Sequence, residues 1–308
     1  MRAFIFPGQG SQSVGMGTAL AEASETARHV FEEVDEALGQ NLFRIMREGP
    51  EDVLKLTENA QPAIMAHSIA VLRAWGVRLP EVANFVAGHS LGEYSALCAA
   101  GSFDLATTAK LLKLRGQAMQ QAVPVGVGAM AALLGADLEL ARKIADAAAQ
   151  GDVCAVANDN DPSQVVISGH KTAIDRAIEI AKEMGAKRAV PLPVSAPFHC
   201  PLMQPAAEAM RDALSYVVVE TPIVPLYANV TAQPETDPDT IRNQLVEQVT
   251  GMVRWRESIA NMTAAGVEEF VEIGGKVLGS MVKRISPDAK VTSLVTIEDI
   301  EALAKEIA

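Results

Sequence analysis

Cysteine and histidine are too few and too scattered in this 308-residue chain to form a local metal or disulfide motif. The three cysteines, Cys98, Cys154 and Cys200, are odd in number and far apart, and no CxxC pair occurs. This pattern supports neither a disulfide framework nor a zinc ribbon. None of the five histidines belongs to an HExxH motif, which is the local signature of many zinc enzymes. We therefore expect no metal site.

Long apolar runs and an excess of basic residues are also absent. No uninterrupted apolar run approaches the ~20 residues that a membrane span needs. The N-terminal segment shows no signal-peptide core or cleavage pattern, so we expect a cytoplasmic protein without a membrane partner. The 26 basic and 38 acidic side chains give a formal net charge of −12. Because no overall basic field exists, we expect no nucleic-acid partner.

What the sequence does contain is an alternation of short apolar strands and longer helical segments, within a composition that is 49% hydrophobic. This alternation predicts an α/β protein with a mainly parallel sheet covered by helices. Strands are predicted at residues 2–6, 84–88, 224–229, 268–273 and 290–294. Helices are predicted at residues 22–38, 61–75, 91–100, 104–122, 202–214, 239–249, 255–265 and 276–285.

The segment 125–193 has a different pattern, β-α-β-β-α-β, which is typical of a ferredoxin-like unit. We therefore predict an inserted ferredoxin-like small subdomain at 125–193 and a large catalytic subdomain made of 1–124 and 194–308. The elements predicted inside the insertion are strands at 128–134, 152–157, 164–168 and 187–192, helices at 137–150 and 172–184, and a turn at 158–162.

The strongest local signal is Gly88-His89-Ser90-Leu91-Gly92, which fits G-x-S-x-G. It follows a predicted strand and precedes a predicted helix, as the nucleophile elbow of an α/β-hydrolase-like core requires. The N-terminus of that helix would direct N–H groups at charge that develops near Ser90. The alternative is an ordinary glycine-rich turn with an N-cap serine.

A serine nucleophile needs a base, and His199 is the best candidate. It lies in a proline-rich loop, at 194–201, that follows the small subdomain and precedes a helix. The alternative is a surface loop histidine. His89 adjoins the serine and is better suited to contact the substrate. No acidic residue is an obvious third member of a triad, and a backbone carbonyl could orient the imidazole instead.

Two further features are open to more than one interpretation. The glycine-rich loop at 7–12 lacks the lysine of a P-loop and the third glycine of a dinucleotide fingerprint, but it could supply an oxyanion donor beside Ser90. Arg115 falls on the apolar side of its predicted helix, where a guanidinium needs a partner. That partner could be an internal carboxylate or a substrate carboxylate held bidentately.

Together these pieces resemble the malonyl-CoA:acyl-carrier-protein transacylase family of fatty acid synthesis. The resemblance spans nearly the whole chain, and the order and spacing of the segments make it specific. The segments are FPGQGSQ at 6–12, GHSLGEYSAL at 88–97, LRGQAM at 114–119, NDNDPSQVVISGH at 158–170, PVSAPFHCPLM at 193–203, EQVTGMVRW at 247–255 and IGGKVLGSMVKRI at 273–285.

The resemblance implies a role for each matched catalytic position. Ser90 would be the acylated nucleophile and His199 its base. The backbone N–H groups of Gln9 and Leu91 would form the oxyanion hole. The main-chain carbonyl of Gln248 would orient the histidine, which would account for the missing acid.

The resemblance also implies the substrate contacts. Arg115 would pair with the free malonyl carboxylate, and Asn158 and Asn160 match a segment near the substrate entrance. Phe198 resembles the malonyl-type pattern of related polyketide acyltransferase domains. Met252 departs from the family, since many relatives have proline there, which puts the local backbone near the catalytic glutamine in question.

The implied activity is transfer of a malonyl group from malonyl-CoA to holo acyl carrier protein through a malonyl-serine intermediate. Coenzyme A thioester is then a substrate, so we expect no cofactor, and we expect a monomer. The alternatives are a polyketide-type acyltransferase acting in trans and an acyl thioester hydrolase. A non-catalytic docking module would need neither the serine nor the histidine.

An acidic carrier protein would not be attracted by a chain of net charge −12, so docking would need a local basic patch. The alternative is an ordinary set of solvated basic side chains. The candidates are Lys182, Lys187 and Arg188 in the small subdomain and Lys276, Lys283 and Arg284 near the other edge of the cleft.

Overall fold

The computed structural model describes residues 1–307, so residue 308, the last of the predicted range 194–308, lies outside the described residues. The strands are β1 (Arg2–Phe6), β2 (Phe85–Gly88), β3 (Gly128–Leu134), β4 (Cys154–Asp161), β5 (Gln164–His170), β6 (Arg188–Pro191), β7 (Leu226–Tyr227), β8 (Pro234–Glu235), β9 (Glu269–Ile273) and β10 (Lys290–Leu294).

The helices cover both sheets, and a 3-10 turn at Pro201–Met203 precedes the eleventh. They are α1 (Thr18–Ala23), α2 (Glu25–Leu38), α3 (Leu42–Glu48), α4 (Glu51–Lys55), α5 (Thr57–Trp75), α6 (Leu79–Val82), α7 (Gly92–Ala99), α8 (Leu105–Gln121), α9 (Leu138–Ala149), α10 (Lys171–Glu183), α11 (Gln204–Ser215), α12 (Pro238–Thr250), α13 (Trp255–Ala264), α14 (Leu278–Ile285) and α15 (Ile297–Ile307).

The larger sheet has the order β10-β9-β1-β2-β7-β8, and every pairing in it is parallel except β7 with β8. Its central strand is buried on both faces, as parallel sheets require. Phe4 and Phe6 pack among α2, α5, α7 and α8, whereas Ala3 and Ile5 pack against α13 and α14. The prediction of a mainly parallel, helix-covered sheet is confirmed.

The smaller sheet is antiparallel, with the order β4-β5-β3-β6. Its chain order is β-α-β-β-α-β, and α9 and α10 pack on one face around Leu133, Val165 and Ile167. Met130 and Val166 point the other way and join the large hydrophobic cluster. This is the strand order of a ferredoxin-like unit. The subdomain limits at 124/125 and 193/194 stay a prediction.

The predicted turn at 158–162 is wrong, because β4 continues through it to Asp161. Its composition is typical of a turn, but Asp159 and Asp161 form ion pairs with Arg256 and Arg284 from α13 and α14, each at 2.8 Å. The predicted strand at 224–229 is also too long, since only Leu226–Tyr227 is a strand. Helices α3, α4, α6 and α15 were not predicted.

No helix among residues 1–307 combines the length and the apolar character that a membrane span requires.

Candidate active site

Ser90 lies at a strained turn between β2 and α7. Its backbone φ of 55° is in the left-handed region, which is unfavourable for a residue with a Cβ. Both flanking glycines are needed for close packing, because a Cβ on Gly88 would overlap the main chain of Gly92, and one on Gly92 would overlap the carbonyl of Phe6. The turn therefore has the geometry of a nucleophile elbow.

Asn229, just after β7, holds this turn from the side. Its Oδ1 accepts a hydrogen bond from the Ser90 N–H at 2.8 Å, and its Nδ2 donates to the Gly88 carbonyl at 2.6 Å. The side chain is fully buried, so both bonds form away from competing water. Sequence reasoning missed Asn229, which stood there only as the last residue of a predicted strand.

His199 reaches Ser90 from the loop before α11. The distance from Ser90 Oγ to His199 Nε2 is 2.7 Å, and Nδ1 lies 2.8 Å from the main-chain carbonyl oxygen of Gln248. That carbonyl favours the tautomer with a proton on Nδ1, which leaves Nε2 free to accept the serine proton. Burial, reinforced by the positive charge of Arg115, lowers the pKa of His199 to about 3. The imidazole is therefore neutral at physiological pH.

Arg115 comes to the same point from α8 and is 1% exposed. Its guanidinium donates to Gln61 Oε1 at 2.7 Å, to Gln248 Oε1 at 2.8 Å and to Ser90 Oγ at 3.2 Å. All of these acceptors are uncharged. Among the described residues no carboxylate forms an ion pair with Arg115, so its direct partners are amides and not the internal carboxylate that the sequence allowed. The buried cation lacks an ionic partner beside the serine.

The two residues predicted to form the oxyanion hole lie on the wall of the cavity around Ser90. Gln9, in the loop after β1, and Leu91, at the start of α7, both line the cavity around Ser90. Neither N–H donates to a backbone carbonyl in the described part of the chain. The Gln9 side chain is held by the Thr57 hydroxyl, which donates to Oε1 at 3.0 Å. Two N–H groups without a backbone acceptor on this wall are compatible with an oxyanion hole, which stays a prediction.

The cavity has a volume of about 540 Å³, and its other walls come from the small sheet and the loop after it. Asn158, Phe198 and His89 all line it. Asn160 does not line the cavity itself but contacts the lining residue His89, with its Oδ1 2.8 Å from His89 Nε2. A larger cavity of about 660 Å³, around Cys98 and other residues, contains none of the predicted catalytic residues, so volume alone would not find this site.

The predicted docking residues lie outside the cavity lining. Lys187 and Arg188 are exposed beside and on the edge strand β6. Arg284 is paired with the buried Asp161, and Lys276 is 3.6 Å from Asp299. Lys283 donates to the Pro287 carbonyl at 3.2 Å, and Lys182 donates to Glu179. Arg284 therefore joins α14 to the small sheet, which leaves less of its charge for a partner.

A metal role finds no support in the arrangement of side chains. Within residues 1–307 no group of three or more His, Cys, Asp or Glu side chains could hold a metal ion. The geometry instead brings a serine hydroxyl, a neutral imidazole and a buried guanidinium to one point. That set suits transfer of an acyl group that carries a negative charge.

Comparison with known proteins identifies the family of this chain. The acyl transferase domain family matches residues 3–283. Malonyl CoA-acyl carrier protein transacylase of Escherichia coli (strain K12) is 45% identical over 284 residues, which cover 92% of this chain and 92% of the relative. The crystal structure of acyl-carrier-protein-S-malonyltransferase from Bartonella henselae has a TM-score of 0.97 and 54% identity, with 99% of both chains covered.

A third relative is a malonyl-transacylase solved in complex with its type II PKS acyl-carrier protein. It has a TM-score of 0.96 and 39% identity, with 99% of both chains covered. The family match covers most of the sequence, and the relatives match over nearly their full length. The chain therefore belongs to the acyl transferase domain family and, within it, to the malonyl CoA-acyl carrier protein transacylases.

Proposed function

We propose that this enzyme transfers the malonyl group of malonyl-CoA to the phosphopantetheine thiol of holo acyl carrier protein, through a malonyl ester on Ser90, and so supplies fatty acid synthesis. The observation that carries the proposal is the buried guanidinium of Arg115, 3.2 Å from Ser90 Oγ and without an ion pair among the described residues. A malonyl ester on Ser90 places a carboxylate one methylene beyond its carbonyl, within reach of that cation.

In the first half-reaction His199 Nε2 takes the proton of the Ser90 hydroxyl while Oγ bonds to the thioester carbonyl carbon. The oxyanion of the tetrahedral intermediate accepts hydrogen bonds from the N–H groups of Gln9 and Leu91. The carbon–sulfur bond then breaks, and the departing sulfur of coenzyme A takes the proton from His199. The product is malonyl-Ser90.

The second half-reaction reverses these roles. The phosphopantetheine thiol gives its proton to His199, and its sulfur attacks the ester carbonyl. Ser90 leaves and regains the proton from His199, and malonyl remains on the carrier protein. Arg115 holds the malonyl carboxylate throughout, while Asn158, His89 with Asn160, and Phe198 form the wall beside the acyl group. A cytoplasmic location, a monomer, and the lack of cofactor, membrane and nucleic-acid partners stay predictions.

Intact-mass spectrometry after mixing with malonyl-CoA tests the proposal. We expect one malonyl adduct on the wild-type chain, discharged by holo acyl carrier protein, and no adduct on Ser90→Ala. The control is Ser215→Ala at the exposed end of α11, which should be malonylated like wild type. An adduct that survives Ser90→Ala, or none on wild type, would overturn the assignment. An adduct that decays equally fast without carrier protein would identify a hydrolase instead.

The basic patch gives a second prediction. Reversing charge at Lys187 and Arg188 together should raise KM for the carrier protein by about 3- to 10-fold, as the loss of about 1 kcal/mol of exposed ionic attraction would. KM for malonyl-CoA should not change, because neither side chain lines the cavity. The matched control reverses Lys143 and Lys171, which are exposed on α9 and α10. Equal effects on both substrates would contradict docking at this edge.

A further inference from the structure

Glu93 is a buried carboxylate directly beneath the elbow that the mechanism above does not use. It lies in the first turn of α7 and is 1% exposed. Its Oε2 accepts a hydrogen bond from the Gln248 side-chain Nε2, and its Oε1 accepts one from the Asn229 N–H at 3.3 Å. Among the described residues no basic side chain forms an ion pair with it. A buried carboxylate without such a pair is costly to keep, so its presence here needs a reason.

Gln248 is the residue through which Glu93 could act. Its main-chain carbonyl holds Nδ1 of His199 at 2.8 Å, while its side-chain Oε1 accepts from Arg115 at 2.8 Å. Its Nε2 also donates to the Ser90 carbonyl at 2.9 Å. One residue therefore contacts the base, the cation and the nucleophile.

The direction of the Gln248 amide decides which of these contacts can form. A side-chain amide has an acceptor oxygen at one end and a donor nitrogen at the other. In its ionised form the Glu93 carboxylate only accepts hydrogen bonds, so it pairs with Nε2 of Gln248 and repels Oε1. With Nε2 turned toward Glu93, Oε1 is left facing the guanidinium of Arg115. Reversing the amide would set the donor nitrogen against Arg115 and the oxygen against Glu93.

We propose that Glu93 is a positioning residue that fixes the orientation of the Gln248 amide and thereby holds Arg115 in the place where it selects malonyl groups. This inference rests on the proposed function of the same site. When ionised, Glu93 also favours the charged form of Arg115, because burial lowers the pKa of Arg115 and the charge of nearby Glu93 acts in the opposite direction. Loss of the carboxylate should therefore affect acyl-group selection more than acyl transfer itself.

Single-turnover acylation of Ser90 by malonyl-CoA and by acetyl-CoA tests this role. Glu93→Gln keeps the shape of the side chain but replaces one acceptor oxygen with a donor. We expect the malonyl-to-acetyl rate ratio to fall by about tenfold, with the malonyl rate changing more than the acetyl rate. Glu93→Asp keeps the charge and should restore part of the ratio. The control, Glu257→Gln in the first turn of α13, should leave the ratio unchanged.

The pH dependence of the same ratio is a second measurement. Burial raises the pKa of Glu93 to about 8, so its accepting, ionised form increases as pH rises through 8. We expect the wild-type ratio to rise with it and the Glu93→Gln ratio to stay flat. Arg115 remains charged in this range, burial raises the pKa of neighbouring Tyr94 well above it, and His199, with a pKa of about 3, stays neutral through it.

Several results would overturn the inference. One is a malonyl-to-acetyl rate ratio that does not change in Glu93→Gln, whether or not the melting temperature falls. Another is a wild-type ratio that does not change between pH values below and above 8. If Glu93→Gln does not fold, the comparison moves to Glu93→Asp, whose ratio must fall between those of wild type and the arginine variant Arg115→Ala. Failure of the proposed function is separately visible, because wild type would then form no malonyl adduct.

Discussion

His199→Ala should slow malonylation of Ser90 by about 10²- to 10⁴-fold, the usual contribution of a positioned general base. The imidazole is the only side chain within the described residues placed to take the serine proton, at 2.7 Å from Oγ, and Arg115 cannot replace it because a guanidinium has no acceptor. Rapid-mixing intact-mass kinetics measure the rate. His29→Ala, on the exposed face of α2, is the control and should match wild type. A rate within threefold of wild type in His199→Ala would remove it from the mechanism.

The low pKa of His199 sets a pH profile that differs from that of an ordinary histidine. Because its pKa is lowered to about 3, the base stays deprotonated well below the value of about 6.5 of a solvated imidazole. We expect kcat/KM for malonylation to be level between pH 8 and pH 5 in respect of this group. A decrease of kcat/KM centred near pH 6.5 in the wild-type enzyme would contradict the burial of this imidazole.

The same group affects stability with a definite sign. Histidine in the unfolded chain takes up a proton below about 6.5, whereas buried His199 does so only near 3. The unfolded state therefore binds more protons in that window, and the free energy of unfolding decreases as pH falls through it. In His199→Ala the free energy of unfolding should decrease less between pH 7.5 and pH 5 than in wild type, as chemical denaturation at pH 7.5, 6 and 5 would measure. The decrease that remains is due to the other buried histidines.

Arg115→Ala should lose malonyl transfer while keeping or gaining transfer of uncharged acyl groups. A charge-assisted hydrogen bond contributes about 1.5–3 kcal/mol, which corresponds to roughly ten- to hundredfold discrimination. The site makes the upper part of that range reasonable, since the guanidinium is 1% exposed and its present partners are uncharged. Paired acylation rates with malonyl-CoA and acetyl-CoA give the ratio directly.

The matched control for this variant is Arg254→Ala. Arg254 has a side chain that is 33% exposed, is paired with Glu257 at 2.7 Å and lies outside the cavity lining. Its malonyl-to-acetyl ratio should equal that of wild type. An unchanged ratio in Arg115→Ala would show that selection lies elsewhere on the cavity wall. The amide partners Gln61 and Gln248 would then be the next residues to vary.

Much of the fold follows from local patterns along the chain. Strands β1, β3 and β10 have their predicted limits, and in β1 and β3 the run of mainly apolar residues ends directly before Pro7 and Gly135. The larger helices agree within a few residues, because their apolar periodicity extends over several turns. Short elements such as α3, α4 and β8 were missed, since they have too few residues for a period to be visible.

The nucleophile and its base were also visible in the sequence. A serine between two glycines after a strand predicts a close-packed turn, and the positive φ of Ser90 with the tight contacts of Gly88 and Gly92 is the physical form of that pattern. The histidine was visible as the one imidazole in a proline-rich loop. Its partner was not, because a main-chain carbonyl has no sequence signature, and Gln248 was named only through family resemblance.

Only the tertiary structure showed which groups are the partners of the buried charged residues. The apolar face around Arg115 showed that it needs a partner, but the two candidates could be separated only by placing α5, α8 and α12 together, where amides and not carboxylates meet the guanidinium. The same holds for Glu93, which follows Gly92 at the end of the elbow and whose partners Asn229 and Gln248 come from distant parts of the chain. The sequence by itself determined the fold class, the elbow and the base, because those depend on neighbours along the chain. The partners of Arg115 and Glu93 depend on helices more than fifty residues away, and long-range packing alone determines them.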